Sequence, residues 1–267
     1  MKIAKALSVL SLLLVTFLFV QCSDDDSKST TPVKIRLTDA PGQYDKVNID
    51  IQGIQIHSSE NKSEENGWQV MNMINSGVYD LLEFNNGVDT LLVDQDMPSG
   101  TVSQMRLILG DNNSVVIDGV EYDLDTPSAQ TSGLKFQIHD DFLAGIEYKL
   151  WIDFDAARSV VKTGNGSYKL KPVIRTFNEA TTGAISGTVS PTEALPTIHA
   201  VIGLDTISTI AEENGEFLIK GLEAGIYKLA IEPIEGYNEK EVENIAVTIG
   251  NITDAGNIEI DAVVQNN

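Results

Sequence analysis

Val33-Lys34-Ile35-Arg36-Leu37 and Val47-Asn48-Ile49-Asp50-Ile51 place an apolar residue at every second position and a polar or charged one between. Successive side chains of a strand point to opposite faces. A period of two therefore marks a segment buried on one side and wet on the other, where a helix would show a period near 3.6. The alternation returns in Met105-x-Leu107-x-Leu109, in Val115-x-Ile117 and Val120-x-Tyr122-x-Leu124, and in Tyr148-x-Leu150-x-Ile152-x-Phe154. Asp118-Gly119 separates two of these runs and predicts a hairpin, because a type I′ turn needs positive φ at both central residues. Only Val78–Phe84 and Asp141–Ala144 leave room for a helical turn. Many short strands at close spacing predict an all-β chain built from two antiparallel β-sandwich domains in tandem.

The alternation stops around Phe177-Asn178-Glu179-Ala180-Thr181-Thr182 and restarts at Gly183-Ala184-Ile185-Ser186-Gly187-Thr188-Val189. This sets a first domain at 32–178, a linker at 179–182 and a second domain at 183–267. Asn214-Gly215, between Ile207-Ser208-Thr209-Ile210 and Phe217-Leu218-Ile219, predicts another hairpin turn.

The front of the chain has a different composition. Met1-Lys2-Ile3-Ala4-Lys5 leads into an apolar run, Ala6 to Val20, that stops at Gln21-Cys22-Ser23-Asp24-Asp25-Asp26. The run is shorter than the roughly 20 residues that span a bilayer. With a basic start and a cysteine at the boundary it reads as a signal peptide over 1–21. Cys22 is the chain's only cysteine, so no internal disulfide can form and both domains depend on their apolar cores. Residues 22–31 are polar and predict a flexible tether.

Charge limits the partners. The chain carries 39 acidic and 18 basic residues, a net of -21. Removing the signal takes two lysines and leaves -23. Such a field repels phosphate backbones, so nucleic acid is excluded as a partner class. The hydrophobic fraction of 42% excludes a disordered acidic tail.

Three resemblances follow from ordered motifs. Phe19-Val20-Gln21-Cys22 resembles a lipobox without the usual small residue before the cysteine, and Ser23, Asp24, Asp25 and Asp26 resemble the acidic surface-export signal of Bacteroidetes lipoproteins. This implies a lipid (palmitate-type) anchor at Cys22 and a body held outside the outer membrane. Leu37-Thr38-Asp39-Ala40-Pro41, Met97-Pro98-Ser99-Gly100-Thr101, Gln104-Met105-Arg106-Leu107, Tyr122-x-Leu124-x-Thr126-Pro127-Ser128, Ser132-Gly133-Leu134-Lys135, Ile152-Asp153-Phe154-Asp155-Ala156-x-x-Ser159 and Gly164-Asn165-Gly166-x-Tyr168-x-Leu170-Lys171-Pro172-Val173 occur in that order. Together they resemble the bacterial domain of unknown function 4382 family over about 33–177, with Trp151 standing where a smaller apolar residue is expected. Gly183-x-Ile185-x-Gly187-x-Val189 and Asn214-Gly215-x-Phe217-x-Ile219-x-Gly221-Leu222-x-Ala224-Gly225-x-Tyr227-x-Leu229 resemble carboxypeptidase regulatory-like domains. That resemblance implies a transthyretin-like (prealbumin-like Greek key) sandwich over about 183–261, and its carbohydrate-binding-like relatives imply a spacer or a glycan-binding role.

Chemistry is sparse. His57, His139 and His199 are the only imidazoles, and His139-Asp140-Asp141 is the one local cluster. A zinc site needs three or four converging ligands and no H-E-x-x-H or C-x-x-C accompanies it, so no metal site and no cofactor are expected. Asp153-x-Asp155 and Asp123-x-Asp125 project paired acids to one side of a strand, as glycoside hydrolysis would require, although outer strand faces are often charged. Asp111-Asn112-Asn113, or Asp39 with Asp45, carry oxygens that calcium favours, and ordinary Asx turns explain them as well. Asp89-Thr90-Leu91 and Asp205-Thr206-Ile207 are similar to a three-residue O-glycosylation signal. For glycan stacking the leading candidate is Trp151, on the strand face it shares with Asp153 and Asp155, followed by Trp68 and Tyr44; the competing role for Trp151 is packing against the second domain. These residues lead to an expected non-catalytic, surface-exposed lipoprotein that binds a glycan or an extracellular protein. The alternatives are a carboxylate-dependent enzyme and a structural part of an envelope or fibre assembly.

Overall fold

The computed structural model describes residues 30–40, 42–58, 67–126 and 132–263, with only the backbone of residue 139. The expectations for the signal peptide, Cys22 and Ser23 to Asp26 lie outside the described residues. Among the described residues the first unit holds thirteen strands: β1 (Thr30–Ala40), β2 (Lys46–Ser58), β3 (Trp68–Met71), β4 (Gly77–Asp80), β5 (Thr90–Pro98), β6 (Gly100–Leu109), β7 (Ser114–Ile117), β8 (Val120–Asp125), β9 (Leu134–Phe142), β10 (Tyr148–Asp155), β11 (Val160–Lys162), β12 (Tyr168–Leu170) and β13 (Ile174–Asn178). They form a four-stranded sheet, β13-β10-β1-β5, and a nine-stranded sheet, β11-β12-β8-β7-β2-β6-β9, with β3 and β4 also on β2. The alternating residues Val33, Ile35, Leu37, Ile49, Ile51, Met105, Leu107, Leu150, Ile152 and Phe154 are fully buried or nearly so and form one core between the sheets.

The second unit holds β14 (Gly183–Ser190), β15 (Thr197–Ile202), β16 (Asp205–Ile210), β17 (Glu216–Leu222), β18 (Gly225–Glu232), β19 (Lys240–Val247) and β20 (Ile252–Glu259). The sheet β17-β14-β20 packs on β16-β15-β18-β19 around Ile185, Val189, Ile198, Phe217, Ile219, Leu222, Tyr227, Leu229 and Ile231. The chain is thus a tandem β-sandwich. Among the described residues no helix is long and apolar enough to cross a membrane.

Several local expectations are corrected. Pairing is mostly antiparallel, but β1 runs parallel to β10, β12 to β8 and β14 to β20. Order begins within the expected tether: Thr30 and Thr31 pair with Pro98 and Met97, and the buried Thr31 hydroxyl donates to the Leu143 carbonyl at 2.8 Å. That bond removes the cost of burying the hydroxyl. Asp118-Gly119 does form the β7–β8 turn, with φ of 52° and 74°. Asn214-Gly215 does not close a hairpin, because only Gly215 takes positive φ and the flanking β16 and β17 belong to different sheets. Asp141 and Phe142 extend β9 instead of forming a helical turn, since Thr101 and Gly100 pair with them. Of the two helical segments, the first forms as a short 3-10 turn at Leu81–Phe84, and an unforeseen turn at Ala156–Ser159 is capped by Asp155, whose Oδ1 accepts from the Arg158 N–H at 2.9 Å.

Candidate functional site

The candidate residues on β10 lie where the two units meet. The outer face of a half-buried strand should be wet, yet β10 is buried on both sides because the second unit covers it. Trp151 is 5% exposed. Its ring stacks on Phe177, its cross-strand partner on β13, at 5.6 Å between centroids and 6° between planes. Its Nε1 donates to Asp89 Oδ2 at 3.1 Å. Asp89 also takes the Arg36 guanidinium and lies 3.7 Å from Lys220 Nζ of the second unit. Trp151 is therefore not an exposed stacking platform. Phe177 and the second unit cover the face that the alternation would have left open.

Asp153 is equally buried and accepts from Nε and Nη2 of Arg175, at 2.7 and 2.6 Å. The same guanidinium crosses to the second unit, where Nη1 donates to the Gly221 carbonyl at 2.7 Å and Nη2 to the Lys220 carbonyl at 3.2 Å. A charged group left without a partner there would cost several kcal/mol, roughly 3–5 for a buried pair. Gly221 sits at φ 69°, and a Cβ on it would come 2.5 Å from the Phe177 ring, so only glycine lets β17 approach this closely. On the far side, Asn86 Oδ1 accepts from the Leu218 N–H at 2.6 Å, its Nδ2 donates to Glu212 Oε1 at 3.0 Å, and Lys220 Nζ donates to the Gly87 carbonyl at 2.8 Å.

Asp153 and Asp155 line different cavities, and Asp39 shares that of Asp153. Asp155 lines an open cleft of about 1170 Å³ between the units, together with Leu150, Arg175, Asn178, His199 and Tyr227. Asp153 lines a separate cavity of about 20 Å³, and Trp151 a third of about 220 Å³. Burial pushes the Asp155 carboxyl up from its ordinary value, partly offset by the Arg158 N–H and charge. Asp39 is pushed well up, first by burial, then by the Asp153, Asp155 and Asp80 charges, against the Ala156 N–H that donates to its Oδ1 at 2.9 Å.

The remaining candidates are scattered. Tyr44 is half-buried against the first core. Asp123 and Asp125 are exposed on β8, the latter 3.7 Å from Lys169. Asp50 Oδ2 accepts from the Asn112 N–H and amide at 3.2 and 3.1 Å, and Asn113 Oδ1 accepts from the Asp50 N–H at 2.9 Å, so Asn112 and Asn113 fasten their loop to β2. Asp45 Oδ2 accepts from the Gly119 N–H, away from Asp39. Among the described residues no group of three or more His, Cys, Asp or Glu is placed to hold a metal ion. His199 lies within β15 and contacts Ser208 at 2.7 Å and Glu232 at 3.3 Å. Thr206 is exposed at the start of β16, whereas Thr90 is half-buried in β5.

Trp68 has a different setting, on the nine-stranded sheet. The buried His57 meets its ring edge-on at 5.2 Å, and the Arg106 guanidinium lies over the ring 4.2 Å from its centroid. Lys135 Nζ is 5.7 Å from the same centroid. Sequence reasoning missed Arg106 and Lys135 here, and Asp89, Arg175 and Gly221 at the junction. Their partners lie from 22 to 131 residues away in sequence, and the only local signal was a cation on the polar phase of a strand.

The model of the family described as Domain of unknown function (DUF4382) matches residues 30–172, more than half of the chain. The chain belongs to the DUF4382 family. The DUF4382 domain therefore comprises the first unit, up to β12, and the junction residues on β13 fall just beyond the match. No curated protein matches the chain. Among solved structures it is similar to a C-terminal interface mutant of a type II cohesin–X-dockerin complex from Acetivibrio cellulolyticus, with 25% identity and a TM-score of 0.25 over 30% of this chain. The match spans 58% of that chain's length. It is also similar to GBS52, the minor pilin of Streptococcus agalactiae, with 11% identity and a TM-score of 0.24 over 88% of this chain and 98% of the pilin. A mutant of the shaft pilin spaA from Lactobacillus rhamnosus GG gives 9% identity and a TM-score of 0.24 over 89% of this chain and 100% of that one.

Proposed function

We propose that the protein is a non-catalytic binding or scaffold module, tethered by lipid at Cys22 to the outer face of the outer membrane. In this reading the DUF4382 domain recognises a glycan or an extracellular protein, and the second sandwich is a spacer held at a fixed angle. The observation that carries it is the junction. Arg175 bridges Asp153 to two carbonyls of the second unit, and Phe177 lies sandwiched between Trp151 and Gly221. A chain that spends its best-placed acids and its most buried tryptophan on fixing two domains is organised to hold a shape. The separation of Asp153 from Asp155, with Asp39 beside Asp153 in a cavity of only about 20 Å³, supports the same reading over a carboxylate-dependent enzyme, which needs two acids facing one substrate. The order β17-β14-β20 against β16-β15-β18-β19 supports a transthyretin-like, carboxypeptidase regulatory-like second domain.

The test is direct. Cys22→Ala should move the protein from the membrane to the soluble fraction with an unchanged melting temperature, because two or three acyl chains anchor stably and none does not. Wild-type protein on intact cells should be degraded by added protease. Membrane retention of Cys22→Ala, or full protection on intact cells, would refute the tethered, outward-facing reading.

A further inference from the structure

On the outer face of the nine-stranded sheet, two cations stand without a carboxylate among the described residues. Register places Val70, Gln55, Arg106 and Lys135 in one row across β3, β2, β6 and β9, and Trp68, His57, Gln104 and Gln137 in the next. Residues directly opposite in an antiparallel pair share a face, so the two rows form one platform. Nine other lysines and arginines pair with an acid. Among the described residues Arg106, Lys135, Lys162, Lys171 and Lys240 do not, and of these Arg106 and Lys135 lie directly opposite each other on β6 and β9, in a chain where acids outnumber bases 39 to 18. Scarcity of carboxylates is not the reason.

Arg106 is also held in place. Its guanidinium lies over the Trp68 ring, while Nε and Nη2 both donate to Gln55 Oε1, the former at 2.7 Å. A planar guanidinium fixed on one face by a ring and along one edge by an amide loses little freedom when it takes a further acceptor, and Nη1 remains to donate. Lys135, exposed beside it, adds a second positive group on the same ring. Gln104 and Gln137 follow in the adjacent row, each carrying an acceptor oxygen and a two-hydrogen donor, the complement of a sugar's hydroxyls.

We infer that this platform binds a saccharide bearing a single carboxylate, with the acid on Arg106 and Lys135 and neighbouring hydroxyls on Gln104 and Gln137. Charge-assisted bonds from a guanidinium to a carboxylate are about twice as strong as neutral ones, and they set the preference. The chain's own net charge sets a limit on size: a polyanion would be repelled at long range, so an isolated acid group suits the site better than a polysulfate or polyphosphate. The inference rests on the binding-module reading and names the ligand class within it.

The full-length chain would be titrated by calorimetry with a glucuronic-acid-terminated disaccharide and with its glucose-terminated counterpart. The acidic probe should bind about tenfold or more tightly than the neutral one. Its affinity should fall severalfold when salt rises from about 0.05 to about 0.5 M. Arg106→Lys, which keeps the charge but not the fork, and Lys135→Gln should each weaken the acidic probe about fivefold or more, at unchanged melting temperature and without altering the neutral probe. Amide shifts on titration should centre on Gln104 and Gln137. Equal binding of the two probes, no binding of the acidic probe, unaltered affinity in both variants, or shifts confined to the other sandwich would each overturn the inference. Equal binding would leave the module reading standing, and the tether is judged separately by fractionation of Cys22→Ala.

Discussion

The two tryptophans show what this sequence hides. Both stand on strands of the DUF4382 domain, and both have a charged residue opposite or beside them. Trp151 is closed in: Phe177 covers its face, Asp89 takes its N–H, and the second sandwich lies across it. Trp68 is topped by Arg106 and Lys135, both from strands of its own nine-stranded sheet. The difference lies in which sheet the second domain chose to cover. Covering the four-stranded sheet turned its polar face into an internal junction and left the nine-stranded sheet's face to solvent.

The comparison breaks most readily at Trp151. Trp151→Ala should cost about 3–5 kcal/mol in urea unfolding, the range for truncating a large buried aromatic. It should also loosen the junction, seen as a larger radius of gyration by small-angle scattering. Arg175→Ala comes next. It leaves Asp153 buried without its cation, and the loss should be about 2–3 kcal/mol, under the roughly 3–5 of a fully buried pair because Arg175 is about one-third exposed. Loss of the two bonds to Gly221 and Lys220 should separate the unfolding of the two sandwiches into distinct calorimetric transitions.

A pH effect of smaller size sharpens the picture. Burial holds the folded Asp39 carboxyl above its ordinary value, so the folded state keeps that proton to higher pH than the unfolded state does. Asp39 then lowers stability as pH rises from about 4 through its raised value, and favours folding only where it stays neutral. Asp39→Asn, with Oδ1 still accepting from Ala156, should flatten the part of the stability profile that lies above the ordinary carboxylate range, measured by urea midpoint. A profile identical to wild type would remove Asp39 from the account. The smallest effect belongs to the open face: Lys135→Gln should shift stability by no more than about 0.5 kcal/mol, as exposed substitutions do, and alter ligand binding alone.

The alternation in Val33–Leu37, Val47–Ile51 and Tyr148–Phe154 was enough to reveal the strands and the inward set, because side-chain direction in a strand is a local property. Asp118-Gly119 revealed its turn for the same reason. Asn214-Gly215 misled, since a tight turn is local but the sheet each flanking strand joins is not. Trp151 was open in a related way: its phase on β10, opposite to Leu150 and Ile152, allowed both a glycan platform and packing against the second domain, and the structure shows the packing. No local pattern tells a face covered by water from a face covered by another domain when the covering residues, Phe177 to Ile252, lie 26 to 101 positions downstream.

By itself the sequence determined the all-β class, the break near Gly183, the family of the first domain and the net charge of -21. Each of these follows from composition or from the order of residues within a few positions. Tertiary structure alone decided the parallel pairing of β1 with β10, the burial of Asp153 and Trp151, and the meeting of Arg106 and Lys135 over Trp68. Those are contacts between distant segments, chosen when two sandwiches bury the most apolar surface they can while leaving few charges unpaired.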